Sequence, residues 1–323
     1  MIPKGHFITE IADGDRIRAV FTISDRRLLT TRNGKTYAKL KVADKTGEIP
    51  AIIWEDAQQQ ITGIDPGDAV GVRGIAESYE NRLQLRIDKI VKLEEDQLDL
   101  STLIPSSKMD IPSMIKEVED LVSTIKNIHI RTLVDRFLSP EDLREAFMKA
   151  PAAKGIHHNF AGGLLEHTLH VMKGIDTLYP IYTHIGLNRD LLLSGAFLHD
   201  IGKIYEYTCT RIIDMTPMGR LVGHIYLSAH MVDQEIESIE NFPEELRLQL
   251  LHIILGHHGQ MEFGSPKPPM TKEAIFLHML DDFDAKLIGF SSIIEATPDN
   301  ELFTSYSNVY NRYLYTRTYL DED

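Results

Sequence analysis

The chain has 323 residues, 43% hydrophobic and 25% charged, with a formal net charge of −14. That composition excludes an intrinsically disordered chain and leaves room for about two domains. No run approaches the ~20 apolar residues of a membrane helix, and Met1-Ile2-Pro3-Lys4-Gly5 lacks the apolar core of a signal peptide, so a cytoplasmic protein with no membrane partner is expected. The single cysteine, Cys209, rules out an internal disulfide and makes a poor metal site, which leaves the role of a small buried hydrophobe.

The charge is uneven. Residues 1–93 carry 15 Lys and Arg against 13 Asp and Glu, whereas 94–323 carry 19 against 35. An acidic region meets phosphate only where divalent cations reverse the local potential.

Residues 1–93 read as strands. Arg16 to Ser24 alternate polar and apolar side chains, as do Tyr37 to Val42 after the turn signal Asn33-Gly34-Lys35. A second turn, Asp44 to Gly47, leads into Glu48 to Trp54, and Ala69 to Gly74 and Leu83 to Ile87 bring the count to five. Glu55 to Ile64 leaves space for a short helix after the third strand. Five strands with a helix in that place outline a small OB barrel.

The series Val42-x-Asp44-x-Thr46-Gly47-x-Ile49-x-Ala51-x-x-Trp54 resembles the anticodon-binding type of OB-fold. The resemblance implies a single-stranded nucleic acid lying across the second and third strands. The candidate contacts are the aromatics Phe21, Tyr37 and Trp54, with Arg18, Arg32, Lys35, Lys39 and Lys41 along the backbone. Phe21 and Trp54 are equally suited to the barrel core.

A linker of turn formers and charge spans 94–109, and a helical connecting segment without evident chemistry spans 110–150. A domain over 151–290 follows, and 291–323 reads as a helical tail with Tyr306, Tyr310 and Tyr313 at helical spacing.

Of 14 histidines, only His6 and His129 precede residue 157. His167 lies in the apolar stripe of one helix, with His170 facing out beside Glu166. His199 and Asp200 end a second helix, His224 heads a third, His257 and His258 end a fourth, and Asp281 sits on the stripe of a fifth. Five inward faces each carrying a ligand-type residue point to bound metal, because an unpaired buried carboxylate is costly.

The order His, His-Asp, His, His, Asp resembles the HD phosphohydrolase superfamily, an all-helical fold. The resemblance implies that His167, His199, Asp200 and Asp281 hold one divalent metal, and that Asp200 bridges to a second held by His224 and His257, with His258 the alternative to His257. Lys203 matches the lysine of the family's His-Asp-x-Gly-Lys subset and would contact a phosphate oxygen. His157 and His158 lie on the preceding loop, where they could contact phosphate or protonate a leaving oxygen; a structural role is the competing reading.

An OB module ahead of an HD domain, with the stretch His157 to Thr168, resembles the YhaM family of bacterial 3′-to-5′ exoribonucleases over essentially the whole chain. That implies trimming of single-stranded RNA, and often single-stranded DNA, to nucleoside monophosphates. It also implies two divalent ions, Mn foremost, with Co, Fe, Zn and Mg the other candidates. Polarity comes from the resemblance alone. A homo-oligomer is expected, because the acidic catalytic region lacks a basic surface of its own. Two other functions fit the same motifs: an HD hydrolase of free or cyclic nucleotides with the OB module as sensor, and a single-strand binder with a relic metal site.

Overall fold

The computed structural model describes the chain apart from residues 1, 32, 80–81, 155–157, 210–212, 299 and 318–323. It divides into two compact units, Met1–Ser106 with Cys209–Ile213, and Ser107–Thr208 with Asp214–Asp323.

The first unit is a five-stranded closed barrel. Its strands are β1 (Arg16–Thr30), β2 (Thr36–Asp44), β3 (Gly47–Ile53), β4 (Ala69–Tyr79) and β5 (Arg82–Lys92), in the order β1-β2-β3-β5-β4, with the one-turn helix α1 (Ala57–Gln60) after β3. The alternation in β2 puts Ala38, Leu40 and Val42 inside and Lys39 and Lys41 outside. β1 runs past its expected end at Ser24 because a bulge between Ile23 and Asp25 resets its register. Its first half pairs with β4 and its second with β2, the bend that barrel closure needs. The barrel is pinned from outside by Asp44, whose buried carboxylate accepts the Ile8 and Thr46 N–H groups and pairs with Lys4 Nζ at 2.9 Å.

The expected linker at 94–109 is only partly a linker. It forms 3₁₀ turns over Glu95–Gln97 and Leu100–Thr102, and Leu98 and Leu103 are buried with Val20 and Ala69 on the outer face of the barrel. That cover explains why Val20 is buried although it is out of phase with the barrel interior.

The second unit is helical: α2 (Ile111–Ser123), α3 (Ile128–Leu138), α4 (Glu141–Lys149), α5 (Gly163–Leu178), α6 (Arg189–Leu198), α7 (Lys203–Glu206), α8 (Pro217–Leu221), α9 (His224–Glu237), α10 (Glu244–Gly256) and α11 (Lys272–Glu295). Between α7 and α8, β6 (Tyr207–Cys209) and β7 (Ile213–Met215) pair in a two-stranded sheet, too short for periodicity to reveal. α5 and α6 are central, and every residue of α6 from Leu191 to Leu198 is buried. α2, α3 and α4 share one apolar core with them, so the segment 110–150 is part of this unit.

The expected helical tail is corrected. α11 ends at Glu295, and Thr297-Pro298 follows, a residue pair that disfavours helix. The chain then folds back through the bridges Phe303↔Tyr315 and Ser307↔Arg312. Tyr306 and Tyr313 meet across that turn with ring centroids 5.2 Å apart. Their spacing of seven reflects this turn rather than a helix.

Candidate metal centre

Five helices aim side chains at one point. His167 comes from the second turn of α5, His199 and Asp200 follow α6, His224 opens α9, His257 follows α10, and Asp281 lies midway along α11. The turn after Asp200 is held against α9 by Gly202, whose N–H donates to Ser228 Oγ at 2.9 Å. A Cβ at Gly202 would lie 2.6 Å from Ser228 N and 2.7 Å from His224 O. Only glycine lets Asp200 and His224 approach this closely.

Asp200 is buried, and its two oxygens face different partners. Oδ2 lies 3.4 Å from His199 Nε2 and 3.7 Å from His167 Nε2. The latter nitrogen is also 3.2 Å from Asp281 Oδ1. Oδ1 lies 3.4 Å from His224 Nε2 and 3.5 Å from His257 Nε2. Donor atoms sharing one ion at ~2.1 Å would themselves sit ~3.0–3.4 Å apart, which is close to these separations.

The far side of each ring fixes its tautomer. Nδ1 of His199 donates to Ala196 O at 2.8 Å and that of His257 to Ile254 O at 2.6 Å. Nδ1 of His167 donates to Asp284 Oδ2 at 2.7 Å, and that of His224 faces Glu206 Oε2 at 2.9 Å. The Nε2 atoms of all four rings therefore face Asp200. Among the described residues, Asp200 Oδ1, His224 Nε2 and His257 Nε2 are buried without a hydrogen bond. That donor set fits divalent-cation binding: His167, His199 and Asp281 form one group and His224, His257 and His258 another, with Asp200 between them.

The charges follow from these contacts. Burial works against ionising Asp200, but Lys203 and His199 hold its carboxyl well below the usual range. Burial likewise opposes charge on Asp281 and Asp284, and the neighbouring histidines outweigh it. His167 is desolvated too, yet Asp281 and Asp284 raise it to about 10. Burial lowers His257 and His258.

The centre opens into a cavity of about 550 Å³ whose lining includes His167, Lys203, His258, Asp281, Phe263 and Tyr310. In the other unit, Tyr37 and Trp54 stack with ring centroids 5.0 Å apart and interplanar angle 23°. They line a groove of about 660 Å³ with Lys39, Tyr79 and Arg82.

The family model described as HD domain matches residues 164–286, and that described as OB-fold nucleic acid binding domain matches 19–93. The 3′-5′ exoribonuclease YhaM of Bacillus subtilis is 32% identical over 320 residues, 98% of this chain and 99% of its own. The chain belongs to the YhaM family. Relatives of the same name from a Geobacillus strain and from Halalkalibacterium halodurans are 32% and 31% identical, over 88% and 94% of this chain and 86% and 93% of their own.

On this YhaM-family chain the structure brings His167, His199, Asp200, His224, His257 and Asp281 together, with His258 beside His224 and His257. Lys203 lines the cavity with Nζ 2.5 Å from Asp200 Oδ2. His158 does not line the open cavity. Its ring is buried behind His167, with Nε2 2.9 Å from Asp284 Oδ2, so His158 supports Asp284 where a phosphate contact was expected. His157 and Arg32 lie outside the described residues.

Phe21 is also corrected as a nucleic-acid contact. It is fully buried in the barrel with Lys4 Nζ 4.1 Å from its ring centroid, so no base can reach it. Trp54, in contrast, is 49% exposed, Lys39 lines the same groove as Tyr37, and Lys35 is exposed in the preceding turn.

Sequence reasoning set His170 facing out beside Glu166 and gave no role to Asp284 or Glu206. Asp284 takes His158, His167 and His170 on its two oxygens, and Glu166 is buried and bonded to Ser107 Oγ. The available signal was spacing: Asp284 stands one turn beyond Asp281, and Glu206 one turn beyond Lys203.

Proposed function

We propose that this chain is a metal-dependent 3′-5′ exoribonuclease that trims single strands to nucleoside monophosphates. The observation that carries the reading is Asp200, whose two carboxylate oxygens are shared between two histidine sets with all four Nε2 atoms turned inward. Family membership along 98% of the chain supports the polarity.

His167, His199, Asp200 and Asp281 would hold one divalent ion, and Asp200, His224 and His257 the other. When bound, such a pair makes water nucleophilic near neutral pH and offsets charge on the non-bridging phosphoryl oxygens. The protein's own groups set the geometry. Asp284 and Glu206 hold His167 and His224 in the ligating tautomer. Lys203 keeps Asp200 ionised and offers its ammonium group to a phosphoryl oxygen in the cavity. Water adds to phosphorus, the bond to the leaving 3′ oxygen breaks, and a 5′-monophosphate is released.

In the barrel, the stacked Tyr37–Trp54 pair, with Lys39 beside it, supports binding of a single strand by base stacking and phosphate pairing. Stacking tolerates any sequence, as an exonuclease requires. The described helices include none long and apolar enough to cross a membrane, and a cytoplasmic RNA substrate agrees with that. Self-association is supported by α11, whose Ile275, Met279, Phe283 and Leu287 form an exposed apolar stripe at helical spacing.

The test is digestion of 5′-labelled and 3′-labelled single strands in Mn, Co, Mg and Zn. Wild type should release labelled mononucleotide at once from the 3′-labelled strand and shorten the 5′-labelled strand stepwise. Asp200→Ala should abolish both. Full Mn-dependent activity in that variant, or turnover of free nucleotides alone, contradicts the reading.

A further inference from the structure

The cavity over the metal centre is lined by two kinds of side chain: ionic ones, among them His167, Lys203, Asp281, Asp282 and Lys286, and apolar or aromatic ones, Phe263, Val309 and Tyr310. The apolar and aromatic ones come from two remote segments, the 3₁₀ turn Met261–Phe263 and the folded-back tail. Phe263 and Val309 are 64% and 57% exposed, although nothing in folding alone favours large apolar groups left in water at the lip of a charged centre.

Both segments are fixed in place. Tyr310 packs on Phe290 of α11 with ring centroids 4.5 Å apart. The Phe263 carbonyl accepts the Nδ1–H of His258 at 2.6 Å, which ties the turn to the histidine next to His257. A volume of about 550 Å³ suits one nucleotide rather than a duplex end.

We infer that Phe263 and Tyr310 form the binding site for the 3′-terminal nucleobase, holding it by stacking while the adjoining phosphodiester meets the ionic side chains. This rests on the exonuclease reading above and adds to it the residues that seat the nucleotide about to be released. The aromatic pair recognises a π-face rather than a base edge, so the site accepts all four bases and rejects an end that has none. Phe263 and Tyr310 are positioning residues, since neither approaches the reacting atoms.

The test compares single strands that differ only at the 3′ end, one with a normal terminal nucleotide and one with a stable abasic sugar phosphate. Wild type in Mn should cut the abasic end with kcat/KM lower by roughly ten-fold, mainly through KM. Phe263→Ala and Tyr310→Ala should lose a similar factor on the normal end and little on the abasic end, and Phe263→Tyr should restore discrimination. Calorimetry gives a second measure: AMP should bind wild type roughly ten-fold tighter than ribose 5-phosphate, and Phe263→Ala should remove that difference. Equal cutting of both ends by wild type, or a normal-to-abasic ratio unchanged in both alanine variants, overturns the inference while leaving the exonuclease reading intact. Failure of wild type to shorten even the normal strand overturns both.

Discussion

Asp200 is sealed from solvent, and burying one carboxylate against Lys203 alone would not explain why four imidazoles also converge on it. The rings are fixed from behind by two carboxylates, Asp284 for His167 and Glu206 for His224, and by two backbone carbonyls. Outer partners of this kind set tautomer and ring direction, and their loss typically costs 10–100-fold in metal affinity or activity. Asp284→Asn and Glu206→Gln should therefore each weaken Mn binding by about that factor, the first at the His167 side and the second at the His224 side. Metal titration of the two variants should show one weakened and one near-normal site in each; uniform loss of both sites would mean that the carboxylates serve folding instead.

At the level of elements, each half of the chain uses its regular structure to present one kind of chemistry. β2 keeps its aliphatic residues inside and turns Tyr37 and Lys39 outward, where Trp54 after β3 completes the stacked pair. Trp54→Ala should weaken single-strand binding by about 1–3 kcal/mol, measured by anisotropy in chelator so that cleavage does not interfere. Tyr79 and Arg82 flank the same groove and are further candidates for that surface. In the helical unit the ligand-bearing positions are helix ends (His199, His224, His257) or inward stripes (His167, Asp281). Ends converge because α6, α9 and α10 all terminate or begin at one side of the core.

For the molecule as a whole, barrel and helical unit were legible from alternation, turn residues and helical stripes, because those patterns record burial directly. The convergence of these histidines and aspartates was legible too, since such a residue on an apolar stripe violates burial unless something neutral or ionic compensates. Phe21 shows the limit: alternation cannot say which of a barrel's two faces a strand presents at a given residue. His158 shows another, because its contact with Asp284 depends on a residue 126 positions away. The tail misled because tyrosines at helical spacing also suit a tight reversal.

The same division of labour predicts how metal supports the fold. Ions bound only by the native helical unit add RT ln(1 + [L]/Kd), about 4 kcal/mol at ~1,000 Kd. Chelation should lower the Tm followed by helical circular dichroism and leave that followed by Trp54, the chain's single tryptophan and a reporter of the barrel, unmoved.

In the proposed function, the Asp200 carboxylate would join two ions. Electron paramagnetic resonance during Mn titration tests it most directly, because bridged ions ~3.5–4 Å apart couple magnetically. Wild type should bind two Mn per chain and give an exchange-coupled spectrum that Asp200→Ala lacks. One Mn per chain, or two with uncoupled spectra, would contradict the account.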